Sequence, residues 1–164
     1  MREGVQVKPG SDVDLTDFPA DAQLGLDDKE KAQAATVKLG ERLAELGGML
    51  AANHKHALLV VIQGMDASGK DGTVKHCIGP LNPMGVGVTS FKAPTPTELG
   101  HDFLWRVHGE CPGRGEVGIF NRSHYEDVLI VRVENVVPEE VWGKRYAAIN
   151  AFERNLADEG TVIV

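Results

Sequence analysis

The sequence predicts an α/β fold, a parallel sheet covered by helices on both faces. Three observations carry that expectation. Short apolar runs alternate along the chain with segments of helical period. The first such run, Ala57-Leu58-Leu59-Val60-Val61-Ile62, feeds directly into a glycine-rich turn, Gly64-Met65-Asp66-Ala67-Ser68-Gly69-Lys70-Asp71-Gly72-Thr73. A helical segment follows that turn, and a strand–turn–helix unit of this kind belongs to parallel sheets.

Taken in order, residues 1–26 show no period and read as an extended arm, and residues 27–164 as the core. From Asp27 the pattern turns helical, with Leu39, Leu43, Leu46 and Leu50 spaced for one core-facing stripe and Asp27 or Asp28 as cap. A strand over 58–62 precedes the glycine-rich turn. A helix then runs to about Ile78, ended by Gly79-Pro80 and Asn82-Pro83. Val86 to Phe91 reads as a second strand. Thr95-Pro96-Thr97-Glu98 is a capping box with proline at the first helical position, opening a helix that contains Phe103, Leu104, Trp105 and Arg106. Glu116 to Phe120 reads as a third strand. Pro138-Glu139-Glu140 starts a long helix to Asp158, with Trp142, Tyr146, Ile149, Phe152 and Leu156 toward one face. Thr161 to Val164 begins a further strand. A buried parallel strand as last element suggests a chain that is incomplete at its C-terminus.

With 164 residues, 42% hydrophobic and 25% charged, one domain with a real core is expected. The longest uncharged apolar run is six residues, too short to span a membrane. Residues 1–28 are acidic and carry no signal-peptide pattern, so a cytoplasmic location is expected. Cys77 and Cys111 read as free thiols. A net charge of −7 argues against nucleic-acid binding. The acidity is concentrated in residues 1–50, with six basic and ten acidic side chains; residues 51–130 hold seven and eight. A polyanionic ligand would need a local cationic groove, for which Lys70, Lys75, Lys92, Arg106 and Arg122 are the candidates.

The turn at 64–73 is a P-loop arrangement: glycines that let backbone N–H groups converge on an anion, and a lysine for the phosphate. Gly64, Ala67, Ser68, Gly69, Lys70, Asp71, Gly72 and Thr73 are the expected phosphate-binding residues. Asp71 stands where the usual motif has the serine or threonine that holds Mg²⁺. Asp66, inside an anion-binding loop, makes sense if a divalent cation lies between carboxylate and phosphate. The second constellation, Phe120-Asn121-Arg122-Ser123-His124-Tyr125-Glu126-Asp127, follows the third strand. P-loop enzymes usually end that strand in a carboxylate; here it is Asn121. Glu126 and Asp127 could return a carboxylate to the same mouth, and Arg122 could reach a phosphate oxygen or make a helical ion pair with Glu126. His124 reads as structural or substrate-contacting, because transfer between phosphates needs no base. His54, His56, His76, His101 and His108 lack ligand spacing.

The turn at 64–72, together with Phe103-Leu104-Trp105-Arg106-Val107-His108 and Phe120 to Leu129, resembles the polyphosphate kinase 2 family, from about Asp27 to Val164. The Asn-Arg-Ser-His-Tyr-Glu-Asp stretch is similar to the branch that accepts AMP as well as ADP. The resemblance implies a three-layer αβα P-loop kinase-like core and Mg²⁺-dependent transfer of the terminal phosphoryl of inorganic polyphosphate to a nucleoside mono- or diphosphate (AMP to ADP, ADP to ATP), with adenine or guanine nucleotides as partners. It implies Asp66, Lys70, Arg122 and Asp127 as catalytic residues, with Asp66, Asp127 and Glu126 as metal ligands. Lys75, Lys92, Arg106 and Asn121 would be further phosphate or nucleotide contacts, and the assembly a homo-oligomer. It also implies helices and a basic lid beyond the strand that begins at Thr161. An ATP-dependent P-loop nucleoside or small-molecule kinase and an inactive phosphate-binding fragment are the alternatives.

Overall fold

Ala57–Ile62 forms the strand (β1) at the interior of a four-stranded sheet with β2 (Val86–Ser90), β3 (Val117–Asn121) and β4 (Thr161–Ile163). The order is β2-β3-β1-β4 and every pairing is parallel. The computed structural model describes residues 6–8, 10–19, 22 and 28–164. Asp27 and much of the expected arm therefore lie outside the described residues. Residues 1–39 and 40–164 are separate compact units. In the first, Asp14 accepts the Thr16 N–H at 2.9 Å and caps a short 3₁₀ turn, Leu15–Asp17.

Six helical segments accompany the sheet: α1 (Lys29–Asn53), α2 (Lys70–Thr73, continued as a π turn over Val74–Ile78), α3 (Pro96–Leu99), α4 (Trp105–His108), α5 (Glu126–Val133) and α6 (Glu139–Asp158). On one face of the sheet Leu59 and Phe120 pack with Phe91, Val107 of α4 and Phe152 of α6. On the other, Val117 and Ile119 pack with Leu81, Leu43 and Leu50 of α1, and Val74 and Ile78. The two clusters make three layers, α on β on α. Burying a side chain such as Leu59 or Phe120 completely contributes about 1.5–3 kcal/mol. No helix of the described residues is long and apolar enough to cross a membrane.

The local expectations need four corrections. Asp28 does cap α1, accepting the N–H groups of Glu30 and Lys31 at 3.0 and 3.2 Å. The stripe turned to the core, however, runs through buried Gly40 and half-buried Leu43, Gly47 and Leu50, whereas Leu39 and Leu46 are exposed. The helix lies so close to the Pro80-Leu81 turn that a Cβ on Gly40 would sit 2.8 Å from Pro80 Cγ. Glycines in the seam escaped a reading that counted only leucines. Second, the capping box at Thr95–Glu98 forms, but the single helix expected there is two. Gly100 ends α3, and the Asp102 carboxylate accepts the Leu104 N–H at 3.0 Å to begin a new turn. Third, Tyr146 is exposed, and Arg145 beside it turns inward instead. Fourth, β2 stops at Ser90 so that Phe91 can enter the core, where its ring meets Phe120 edge-on at 4.9 Å.

Candidate functional site

The carboxyl ends of three strands lie level. Ile62 and Ser90 both register with Asn121, so the segments leaving β1, β2 and β3 emerge side by side. In open parallel sheets the ligand crevice lies at this edge. Here it is a cleft of about 540 Å³ lined by residues 66–72 after β1, 90–93 at the end of β2, and Asn121 and Arg122 at the end of β3.

The loop after β1 is shaped by its small residues. A side chain on Gly64 would meet Ser68 Oγ at 2.6 Å, and Ala67 and Gly69 take positive φ, +62° and +87°. The left-handed conformation is easy for glycine and costly for alanine, so Ala67 holds local strain in the loop. Lys70 Nζ donates to the carbonyls of Gly64 and Met65 at 2.9 and 2.7 Å, which fixes the ammonium at the loop. Thr73 donates its hydroxyl to the Gly69 carbonyl and does not line the cleft.

Arg122 also has positive φ, +62°. Its flanks dictate that conformation. Its N–H donates to the Ile62 carbonyl at 3.0 Å, while the next residues, Ser123 and His124, are fully buried. Ser123 Oγ bonds Gln63 Oε1 at 3.3 Å, and Glu153 of α6 takes both His124 Nε2 (3.0 Å) and the Tyr125 hydroxyl (2.5 Å). Burial, and then Glu153, push the Tyr125 phenol well above its ordinary pKa. His124, enclosed at 1% exposure, has the structural placement and does not reach the cleft. Held this way, Arg122 pairs with Asp66 across the cleft. Asn121 Nδ2 donates to Asp71 Oδ1 at 2.7 Å, which gives the residue after the P-loop lysine a partner from the neighbouring strand. The cleft thus gathers Lys70, Lys92 and Arg122 against two carboxylates, Asp66 and Asp71.

Other expected site residues stand elsewhere. Lys75 is exposed on the π turn and does not line the cleft. The Arg122–Glu126 pair is absent; Glu126 accepts from Gln63 Nε2 at 2.7 Å instead. Asp127, expected as a metal ligand, is buried at the start of α5. Arg145 reaches its Oδ1 at 3.1 Å and Arg106 its Oδ2 at 3.6 Å. Burial raises its pKa, against the opposing pull of the two arginines. Arg106, expected as a phosphate contact, has a side chain only 9% exposed and lies behind the cleft, not in its lining. Among the described residues no three His, Cys, Asp or Glu side chains group as metal ligands. Ser90, Phe91 and Ala93 line the cleft without having been singled out; the rule that ligands sit at strand carboxyl ends would have found them once the strand order was known.

A glycine-rich loop at the carboxyl edge of a parallel sheet, faced by an arginine from the adjacent strand, defines a P-loop kinase-like fold. The family model of polyphosphate kinase 2 matches residues 26–164, and the chain belongs to that family. It is 51% identical over 160 residues to an AMP/ADP-polyphosphate phosphotransferase of Meiothermus ruber, covering 97% of this chain and 60% of the relative. It is 42% identical over 171 residues to an ADP-polyphosphate phosphotransferase of Rhodopseudomonas palustris, covering 97% and 59%. The crystal structure of polyphosphate kinase 2 from Arthrobacter aurescens TC1 superposes with a TM-score of 0.88 at 41% identity, covering 96% of this chain and 56% of that one. The chain therefore spans somewhat over half the length of these relatives.

Proposed function

We propose that the cleft binds the terminal phosphates of inorganic polyphosphate and transfers a phosphoryl group to AMP or ADP. The observation that supports this most is the level ending of β1, β2 and β3, which collects Lys70, Lys92, Arg122 and the loop N–H groups in one cleft. The names of the two relatives point to the same donor and acceptors.

In the reaction the P–O bond between the terminal phosphorus and its bridging oxygen breaks. A new P–O bond forms to the terminal phosphate oxygen of the nucleotide, and polyphosphate leaves one unit shorter. The acceptor oxygen is already anionic, so no general base is needed, in keeping with the enclosed position of His124. Lys70 and the loop amides hold the transferring group, and Arg122 neutralises charge that spreads over its oxygens. Asp66, whose side chain is 87% exposed, and Asp71 both face the cleft. That donor set fits Mg²⁺, which binds through one or two carboxylates plus substrate phosphates and keeps several waters. Mg²⁺, when bound, supplies Lewis-acid polarisation of the phosphoryl oxygens. We assign its protein ligands to Asp66 and Asp71, because these two carboxylates line the cleft whereas Asp127 and Glu126 do not.

The test is ATP formation from long-chain polyphosphate and ADP with Mg²⁺, with Lys70→Ala alongside. A loss of at least about 100-fold is expected from removing one preorganised charge at the transferring group. Near-normal turnover by the variant, or ATP consumption with no polyphosphate present, would sink the proposal.

A further inference from the structure

Arg106 and Asp127 belong to one buried chain of contacts that starts on α6 and ends at the rim of the cleft. Arg145 of α6 donates through Nη1 both to the Asp127 carbonyl (3.0 Å) and to its Oδ1 (3.1 Å). The Arg145 guanidinium rests 4.9 Å from the centre of the Phe103 ring. Asp127 Oδ2 makes no hydrogen bond among the described residues; the nearest charge is Arg106 Nη2 at 3.6 Å. Arg106 in turn donates Nη1 to the main-chain carbonyl of Lys92 at 2.8 Å, with Glu98 at 4.0 Å and the Phe91 ring beneath it at 5.4 Å.

That last hydrogen bond falls just after β2 ends, where the sheet no longer holds the main chain. Lys92 carries the cleft's one cation from this segment, and among the described residues its ammonium makes no ion pair. Its backbone is tied through Arg106 while its side chain is left free. Arg106 Nη1 donates to the Lys92 carbonyl, Nη2 lies 3.6 Å from Asp127 Oδ2, and the side chain is only 9% exposed and outside the cleft lining, so the guanidinium is turned toward protein oxygens and away from a phosphate in the cleft.

We infer that Arg106, braced by Asp127, is a positioning residue: it fixes the Lys92 carbonyl and thereby sets where the Lys92 ammonium meets a bound polyphosphate. This rests on the reading of the cleft as a phosphate site. Lysine cannot replace Arg106, because one ammonium on a flexible stem cannot span the Lys92 carbonyl and the Asp127 carboxylate as the planar guanidinium does.

The test is a double-mutant cycle on tripolyphosphate affinity, measured calorimetrically without divalent cation and with melting curves to establish folding. Lys92→Ala should weaken binding about tenfold, roughly the worth of one charge-assisted contact. Arg106→Lys should weaken it several-fold in the unsubstituted background and hardly at all in the Lys92→Ala background, since its effect passes through Lys92. A merely structural arginine would lower affinity by the same factor in both backgrounds, and that result, or no effect in either, overturns the inference. Should Arg106→Lys fail to fold, Asp127→Asn takes its place in the same cycle with the same expectation. Omitting the divalent cation keeps any metal-ligand role of Asp127 out of the readout. If the unsubstituted chain binds no tripolyphosphate, the phosphate-site reading falls and this inference with it. Binding that ignores both substitutions overturns the inference alone.

Discussion

Gly118 sits in the middle of β3, buried on both faces of the sheet, and the proline ring of Pro112 lies directly over it. A Cβ there would meet three ring carbons, Cδ at 2.8, Cγ at 3.0 and Cβ at 3.3 Å. Carbons in good contact sit about 3.5–4.0 Å apart, so Gly118→Ala is too close to its nearest neighbour by roughly 0.7 Å. Neither side can yield by rotating a bond: the proline is a ring, and β3 is hydrogen-bonded to β1 and β2. Overpacking of this kind costs about 1–3 kcal/mol. At about 2–4 °C per kcal/mol for a chain of this size, the melting temperature should fall by about 2–12 °C. Gly48→Ala, in α1 with no atom within 4 Å of the added carbon, is the control and should gain about 0.5–1 kcal/mol from helix propensity. Melting curves by circular dichroism, repeated in urea, read both. A Gly118→Ala protein that melts within a degree of the parent, or a Gly48→Ala protein that falls as far, would refute the packing argument.

The two thiols should differ sharply in reactivity. Cys77 is exposed, whereas Cys111 is half-buried, donates toward the Val107 carbonyl at 3.4 Å, and has its pKa pushed up to about 11 by burial and then by Glu110. Near pH 8 roughly one Cys111 in a thousand is thiolate, so a disulfide reagent should find one fast thiol and release the second only on unfolding; two fast equivalents would contradict the burial. The Glu98 carboxyl is held below its ordinary pKa by the Thr95 N–H first, with the Arg106 charge a smaller influence. Its contribution to stability is therefore present above the unfolded-state pKa and lost as pH falls through the lower folded one. The melting-temperature gap between the parent and Glu98→Gln should be open near about pH 6 and shrink as the pH is lowered through the depressed folded-state pKa; a gap that does not change with pH would rule the linkage out.

β1 was legible because an uninterrupted apolar run of strand length has few other solutions in a parallel sheet. The loop from Gly64 to Gly72 was legible because its glycines and lysine sit at fixed offsets. What sequence spacing missed depends on contacts that cross long stretches of chain. Asp127 is one residue from Glu126 and looks equally available, yet only tertiary packing brings Arg106 and Arg145 to it. Arg106 read as a phosphate contact because a lone arginine carries no mark of burial. The capping box at Thr95 was read correctly, but the length of its helix was set by the Asp102 side chain, a local competitor that periodicity does not weigh. On α1 the packing seam ran through glycines, which a count of apolar side chains passes over.

The strand order has a consequence for how the molecule comes together. Leu58 pairs with Val117 and Ala57 with Thr161, so the strand that leads into the glycine-rich loop is made long before either of its partners. At a synthesis rate of about 5–20 residues per second, it waits about 3–20 s in the nascent chain for them. Contacts this distant along the chain form late and slow the search for the native state. The contacts that hold the two residues after Ser123, and so the segment that follows Arg122, come from Glu153, still further along the chain. Each wall of the cleft comes from a different stretch of chain, so a chain in which those stretches have not yet met holds an intact loop sequence with nothing facing it.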